Sequence, residues 1–407
     1  MNLVIGVPVS RIRSLERGDL PGVCRLYEAV VRSGSSDPPP QLVEYFERTF
    51  LDYPWVDPAI PSLVYVDSAG EIVGFLGSHV RRLRVDGRPI RMACSGQLVA
   101  SPEARHRGVG ALLMRRYLAG PQDLTTTDGA TDLVRRMWTG LGGQPLAHAS
   151  IGWTRVFRPA ATGIASLARH NRHSGLTRSL RLVAPTLDAA AQMLLRGKWD
   201  LLPVEPEADA EPLTVDSLLD EMSGAARCLR LHPDYDAEYL RWLFEELQEV
   251  EDVRGVPVRR LVRDRTGRVA GWYVYYFVPG GVAQVLQVAA LNGGSGLVLD
   301  HLFWDAACSG AVAVRGRLEP SLLGLLVSRR CLLHRTEWAL VHCQDQSLLG
   351  LLGSPEALVT RLDGEWWMGH HVLWRELSQP ARPATATRTT ATLTVVPADR
   401  PWPREES

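Results

Sequence analysis

One pattern occurs twice along the chain and constrains its fold more than any other feature. A strand containing a glycine, Gly74 in EIVGF and Gly271 in RVAGW, is followed by another strand, a glycine-rich turn and a helix, in the same order both times. A pattern that returns in the same order and spacing predicts two copies of one folding unit. The two copies agree in order and spacing, not in residue identity.

Length and composition agree with two globular units. The chain has 407 residues, which exceeds one ordinary core, and 45% of them are apolar. Lysine plus arginine number 45 and aspartate plus glutamate also number 45. Because the charges balance, no overall field attracts nucleic acid or an anionic membrane, and we expect neither as a partner. Any anion site must be local.

Cysteine usage and the N-terminus indicate the compartment. The six cysteines show no CxxC and no close pairing, so we expect buried free thiols in a reducing cytosol, without a metal site. The start MNLVIGVPVSRIRS lacks the features of a signal peptide and is interpreted as a leading strand. No window approaches eighteen apolar residues without charges, so we predict no membrane span and a cytoplasmic location.

The order of predicted elements indicates the fold class. Residues 1–158 show strand, two helices, three strands, helix, strand, helix and strand, which is typical of an α/β (α+β) domain. We predict that each copy is a mixed, mostly antiparallel twisted sheet flanked by helices. Residues 159–221 are expected to be a helical or irregular linker, 222–377 the second domain and 378–407 a disordered tail.

The stretch RHRGVGA, residues 105–111, precedes an apolar-periodic helix. A helix N-terminus exposes unpaired N–H groups and a partial positive charge, and glycine lets an anion approach the backbone. Gly108 and Gly110 supply that access, while Arg105, His106 and Arg107 add charge, so a diphosphate-bearing cofactor fits. The chain has neither GxGxxG nor GxxxxGK[ST] at this place, and the preceding strands form an antiparallel meander. Nicotinamide enzymes and nucleotide hydrolases therefore fit poorly.

These residues resemble those of a known family. The string Arg105 to Gly110 matches the [Gln/Arg]-x-x-Gly-x-[Gly/Ala] motif of the GNAT acyltransferase superfamily, after a three-strand meander and before a helix. A later segment, Trp138 to Gly143, is similar to the Tyr-x-x-Leu-Gly-Phe pattern of the family. The resemblance covers about residues 10–158 and, more weakly, 222–376, where the turn Asn292–Gly296 lacks arginine and resembles a degenerate copy.

The resemblance implies acetyl-CoA or another acyl-CoA as co-substrate. The pantetheine arm is expected along the strand before the motif, and the diphosphate at the loop and the first helical turn. The implied cofactor-binding residues are Gln97, Leu98, Val99, Arg105, His106, Arg107, Gly108, Val109, Gly110 and Ala111.

Catalytic residues are less clear from the sequence. An ammonium acceptor must lose a proton before it attacks a thioester, and Asp128 at the end of DLTTTD is the first candidate base, although a turn or cap role for this aspartate is favoured over it. Trp138 stands where many family members have a tyrosine acid, and indole cannot deliver that proton. Ser95, Tyr117 or water could take the role. Cys94 suggests an acyl-cysteine, against the alternative of a buried thiol.

Two functions fit these observations. The first is an N-acyltransferase, most simply an N-acetyltransferase, that acts by direct attack on an amine of a small molecule or a protein. The second is a non-catalytic acyl-CoA-binding or regulatory protein, because the usual acid is replaced and the second copy is degenerate. A homodimer is left open by the sequence.

Overall fold

The secondary structure follows the repeated order that the sequence predicts. The computed structural model describes residues 11–32, 37–170, 175–195, 201–225, 228–291 and 293–368. The strands are β1 (Arg11–Ser14), β2 (Leu63–Val66), β3 (Ile72–Val85), β4 (Arg88–Ala100), β5 (Leu124–Ala130), β6 (Gln144–Pro145), β7 (Ile151–Val156), β8 (Ala208–Pro212), β9 (Leu231–Pro233), β10 (Val256–Asp264), β11 (Val269–Phe277), β12 (Val282–Ala290), β13 (Ala313–Arg317), β14 (Leu332–Arg335) and β15 (Trp338–His342).

Helices lie between these strands, with short helical turns at several ends. The α-helices are α1 (Leu20–Tyr27), α2 (Pro40–Phe50), α3 (Pro102–His106), α4 (Val109–Leu118), α5 (Asp132–Gly140), α6 (Pro159–His170), α7 (Gly175–Leu195), α8 (Val215–Ala225), α9 (Ala237–Glu249), α10 (Glu251–Arg254), α11 (Ser295–Cys308), α12 (Leu323–Ser328) and α13 (Gln346–Leu352). The 3₁₀ turns are Arg17–Asp19, His148–Ser150, Pro320–Leu322, Arg361–Asp363 and Trp366–Met368, and Glu28–Arg32 is a π-helical turn.

The strands form two sheets with the same order. The first runs β1-β2-β3-β4-β5-β15-β6, with β9 also paired to β3, and the second runs β8-β10-β11-β12-β13-β7-β14. In each path one pair is parallel, β4 with β5 and β12 with β13, and the other pairs are antiparallel. Gly74 and Gly271 occupy matching places in β3 and β11. The predicted fold class is confirmed: two mostly antiparallel sheets are flanked by helices.

One strand from each half of the chain lies in the sheet of the other half. β7, expected to close the first sheet, pairs with β13 and β14, whereas β15 pairs with β5 and β6. The two sheets are therefore not divided at residue 158. The sequence HRTEWALVHC, residues 334–343, has the pattern of one strand. It instead contributes to two strands in different sheets, because each of β14 and β15 finds its partners on a separate sheet. His334 and His342 consequently lie apart in the fold instead of lining one strand.

The stretch predicted as linker contains ordered elements. Helices α6 and α7 fall within it, and β8 forms the edge of the second sheet by pairing with β10. Its acidic sequence ADAEP is compatible with an exposed edge, where charge discourages further pairing. The predicted tail 378–407 and Asn292, the first residue of the second glycine-rich turn, lie outside the described residues.

Helix α4 packs closely on β3 because that strand carries a glycine. A Cβ added to Gly74 would lie 2.6 Å from Val109 Cγ1 and 3.0 Å from Leu113 Cδ1. Both side chains are fully buried in the core between α4 and the first sheet. Gly74 thus sets how near α4 lies to the sheet and where its N-terminus points.

The two halves also share hydrophobic cores. Tyr53 and Trp55 from the first half pack with Tyr239 and Trp242 of α9, and Trp367 belongs to the same cluster. The rings of Trp55 and Tyr239 are stacked, with an interplanar angle of 6°. Hydrophobic packing therefore joins the halves in addition to strand exchange. Within the described residues, no helix combines the length and apolar character needed to cross a membrane.

We predict that Gly74→Ala destabilises the protein by about 1–3 kcal/mol, because the added methyl group overpacks the contact with α4. Gly129→Ala is the matched control, since Gly129 is also a strand glycine and its Cβ would meet nothing within 4 Å among the described residues. The free energy of unfolding, measured by urea denaturation, should fall only for Gly74→Ala. Equal stability of both variants would show that α4 does not depend on this close approach.

Candidate active site

The predicted anion-binding loop starts a helix at the surface. Gly108 adopts φ +73°, a left-handed conformation that favours glycine, and α4 begins at the next residue. Within the described chain no side chain caps α4, and its first turn includes Gly110 and Ala111. Side chains added at Gly108 or Gly110 would meet little, the nearest atom being Leu98 Cδ2 at 3.9 Å from a Cβ on Gly110.

Positive side chains surround this helix start. Arg105, His106 and Arg107 are all exposed. Arg105 also donates from Nε to the carbonyl of Ala100, at 3.0 Å, which connects the loop to the end of β4. This geometry agrees with the sequence pattern, which places glycine backbone and cationic side chains together at the N-terminus of α4.

The first sheet opens beside the loop. The parallel pairing of β4 with β5 covers only Met92 to Cys94 against Leu124 to Thr126. Beyond it, β4 continues to Ala100 on β3, while β5 continues to Ala130 on β15. Ser95 and Thr127 are therefore the first residues of two separating arms, which we call the fork. Strand backbone at a fork is available to hydrogen-bond an extended ligand.

Gln97, Leu98 and Val99 lie on the β4 arm of the fork. Gln97 has φ +53°, and the register between β3 and β4 shifts at this place, so the arm bulges. The Oε1 atom of Gln97 is buried without a hydrogen-bond partner among the described residues. Leu98 and Gln97 are half-buried, whereas Val99 packs in the core on the α1 and α2 side.

The matching place in the second sheet differs. β12 and β13 also pair in parallel for three residues, ending at Gln284 and Arg315. Just beyond that point, the indole of Trp153 lies against Gly316 and donates from Nε1 to the carbonyl of Arg317, at 3.0 Å. The turn before α11 is also close-packed, since a Cβ on Gly294 would lie 2.4 Å from the carbonyl oxygen of Ala270.

Asp128, the predicted base, is held on several sides. Its Oδ1 accepts hydrogen bonds from the backbone N–H groups of Glu365 at 3.1 Å and Trp366 at 2.9 Å. Its Oδ2 lies 3.2 Å from Nη1 of Arg317 and 3.9 Å from Nε of Arg361. Asp128 and Arg317 each stand two residues beyond the last parallel pair of their own sheet. The structure therefore gives Asp128 an anchoring role between the halves, and its role as a base stays a prediction.

Sequence reasoning missed Glu365, which the fold brings to the fork from 237 residues away. Its Oε1 accepts hydrogen bonds from Thr127 Oγ1 at 2.5 Å and from the N–H of Asp128 at 3.0 Å. Its Oε2 is buried without a hydrogen-bond partner in the described chain. Burial, together with the charge of Asp128, raises the pKa of Glu365 well above its usual value. The sequence GEWWMG contains no motif that identifies Glu365 as a functional residue. Its chemistry depends on the packing of this segment against β5.

The candidates for a proton donor lie at the base of the fork. Ser95 is buried and pairs across the sheet with Ser78. The hydroxyl of Tyr117 lies 2.9 Å from Ser78 Oγ and 3.3 Å from the carbonyl oxygen of Cys94. Burial raises the pKa of Tyr117 well above its usual value, so the phenol keeps its proton. Trp138 is turned into the core, where its Nε1 donates to the carbonyl of Val341 at 3.0 Å.

Cys94 is a buried thiol at the last parallel pair. Its Sγ donates to the carbonyl of Asp363 at 3.2 Å and lies 3.5 Å from Thr126 Oγ1. Burial raises the pKa of Cys94 to about 12. A thiol in this state is a poor nucleophile at neutral pH, which favours the buried-thiol interpretation over an acyl-cysteine.

A narrow cleft of about 10 Å³, no more than one water molecule needs, lies beside Arg317. It is lined by His148, Arg317, Glu319, Val359 and Thr360, among others. Burial lowers the pKa of His148 to about 4 and raises the pKa of Glu319 to about 8. Near neutral pH the cleft is thus lined by an uncharged imidazole and a carboxyl close to its titration point. Among the described residues, no group of three or more histidine, cysteine, aspartate or glutamate side chains could hold a metal ion.

The fold of this chain also occurs in solved structures of other proteins. No family model and no curated protein sequence matches the chain. A GCN5-related N-acetyltransferase from Anabaena variabilis is similar in structure, with a TM-score of 0.53, 11% identity, and coverage of 83% of this chain and 73% of that one. A conserved protein of unknown function from Enterococcus faecalis, described as a probable N-acyltransferase, has a TM-score of 0.51 and 9% identity, with coverage of 82% and 73%. This chain has their fold. At such low identity the similarity shows the fold alone. This structural similarity confirms the fold that the resemblance implied.

We predict that iodoacetamide at pH 8 leaves Cys94 unmodified in the native protein, because the thiolate is scarce and the sulfur is buried. Cys228 and Cys308 are exposed, contrary to the expectation from sequence that the thiols are buried. They serve as internal controls and should be alkylated. Peptide mass spectrometry before and after denaturation measures each site. Alkylation of native Cys94 as fast as Cys228 would restore the acyl-cysteine alternative.

Proposed function

We propose that the protein is an acyl-CoA-dependent N-acyltransferase, and that it transfers an acetyl group from acetyl-CoA to an amine by direct attack. The observation that carries this proposal is the uncapped start of α4 next to the β4 arm of the fork. A coenzyme needs both features at once: N–H groups for a diphosphate and free strand backbone for an extended amide chain. The fold of an N-acetyltransferase supports the assignment.

The proposed coenzyme follows the residues from the loop to the fork. Its diphosphate lies at residues 108–111, with charge from Arg105, His106 and Arg107. Its pantetheine arm runs along Gln97, Leu98 and Val99. The thioester then reaches Ser95 and Thr127, where the sheet interior lowers the dielectric and strengthens hydrogen bonds to a developing oxyanion.

The second half has a supporting role in this proposal. It has no arginine in the turn before α11, and Trp153 packs where its own fork would begin. We therefore propose that it is a degenerate copy that binds no coenzyme and instead supplies walls of the acceptor site. The acceptor in this proposal is an amine of a small molecule or of a protein side chain. Balanced charge supports neither nucleic acid nor membrane as a partner.

A second function is favoured by one observation. Trp138, at the place of the usual tyrosine acid, is buried and bonded to Val341, so it cannot be turned to the thiolate without breaking a core contact. The alternative is a protein that binds acyl-CoA without turnover. Incubation with acetyl-CoA and a panel of amines, with detection of released thiol, separates the two functions. Binding without thiol release favours the alternative.

For the coenzyme site, we predict that Gly110→Asp weakens CoA binding at least tenfold, about 1.4 kcal/mol, because it places a carboxylate where the diphosphate would lie. Gly163→Asp adds the same charge at an exposed glycine of α6 with nothing within 4 Å among the described residues. Calorimetry should show wild-type affinity for the control. Unchanged affinity of Gly110→Asp, with an intact circular dichroism spectrum, would contradict the site.

A further inference from the structure

The fork holds two carboxyl groups that differ in their bonding. Both oxygens of Asp128 are engaged by backbone N–H groups and by arginine, whereas Glu365 keeps one oxygen without a partner among the described residues. A buried acceptor atom left unpaired costs free energy, and such groups concentrate where a ligand completes the bonding. Of the two carboxyl groups, Glu365 is the one that can accept a further hydrogen bond or a proton.

The position of Glu365 is set by the first sheet itself. Thr127 is the first residue of the β5 arm, and its hydroxyl donates to Glu365 Oε1. Asp128 follows, and it donates from its N–H to the same oxygen. Glu365 therefore lies directly beside the point at which the two arms separate.

The segment that carries Glu365 is fixed on both sides. Buried Arg81 of β3 donates to the carbonyl groups of Asp363 and Gly364, at 3.1 Å and 3.4 Å. Gly364 passes so near Asp128 that an added Cβ would lie 2.5 Å from Oδ2. These contacts hold the backbone in place, so the carboxyl group of Glu365 is preorganised rather than mobile.

We propose that Glu365 is the proton acceptor for the incoming amine, and that Asp128 is the residue that positions it. This inference rests on the proposed acyl transfer. The ammonium group of the acceptor gives one proton to the carboxylate of Glu365, and the freed lone pair attacks the thioester carbonyl. The carbon–nitrogen bond forms and the carbon–sulfur bond breaks. The second proton of the nitrogen then passes to the leaving thiolate through Tyr117, Ser95 or water, so that the products are the amide, the free thiol and a protonated Glu365.

Burial and the charges around Glu365 raise its pKa, which strengthens it as a base once it is ionised. Asp128 is the nearest negative group, and burial together with that charge favours the neutral form of Glu365. The ammonium group of the acceptor favours the ionised form of Glu365 instead, because its positive charge attracts the carboxylate. Other titratable or charged groups around the pair, among the described residues, include Arg81, Cys94, Tyr117, Arg317, Arg361 and Asp363.

The test is Glu365→Gln in the full chain. The glutamine carbonyl can still accept from Thr127 and Asp128, so the fold should be kept, but the side chain cannot take a proton. With acetyl-CoA and n-butylamine, spermidine or a lysine peptide, kcat should fall about 100-fold or more. The affinity for acetyl-CoA in calorimetry should change less than about twofold, since a base does not bind the coenzyme.

Two quantities are also measured as a function of pH, kcat and the free energy of unfolding. In the wild type, kcat should rise with pH as Glu365 ionises, and this limb should be lost in Glu365→Gln. Because the pKa of Glu365 is raised in the folded state, its contribution to stability is present at low pH and is lost as pH rises through the folded pKa. The free energy of unfolding of the wild type should therefore decline over that range relative to Glu365→Gln.

Glu246→Gln is the matched control. Glu246 is also buried and burial also raises its pKa, but it lies on α9 and pairs with Arg48. Its variant should keep the wild-type kcat and pH limb. If Glu365→Gln retains kcat within about threefold and keeps the limb, Glu365 is not the base although the enzyme is an acyltransferase. If the wild type releases no thiol with any amine, the proposed function and this role are both contradicted.

Discussion

The structure depends on the exchange of one strand between its two sheets. β7 leaves the first half to lie beside β13, and β15 leaves the second half to lie beside β5. Backbone hydrogen bonds of these two strands thus join the halves, and neither sheet is complete without the other half of the chain. The exchange also brings β5 and β13 to a shared interface, where Asp128 meets Arg317. Removing one partner from such a buried pair leaves an uncompensated charge and costs about 3–5 kcal/mol.

Asp128 connects this interface with the candidate chemistry. Its carboxylate caps the N–H groups of Glu365 and Trp366 while its own N–H donates to Glu365. Asp128 therefore contacts the second half of the chain through Arg317. It also holds the C-terminal segment through three hydrogen bonds, two from N–H groups of that segment and one from its own N–H. A carboxylate with this many donors is well suited to hold another group in place. In the proposed mechanism the proton is accepted by the neighbouring Glu365, which has fewer hydrogen bonds.

The sequence predicted much of the fold and the outer part of the site. The glycine-marked strands, the meander and the start of α4 at Gly108 follow from local rules, because turns, caps and periodicity involve neighbouring residues. The partners of β7 and β15 could not be predicted in this way, since both have ordinary strand patterns and their sheets are chosen by long-range pairing. The same limit hid Glu365, and it made His334 and His342 look like one strand.

The amino-acid sequence by itself determined the repeated element order, the glycine at the helix start and the cationic loop, because each is a property of a short continuous stretch. Tertiary structure decided which carboxyl groups meet at the fork, how Trp138 is oriented and which sheet each exchanged strand joins. Those outcomes depend on contacts between residues more than a hundred positions apart, such as Thr127 with Glu365 and Trp138 with Val341. A pattern in one segment does not encode the position of the other, so only packing of the whole chain settles them.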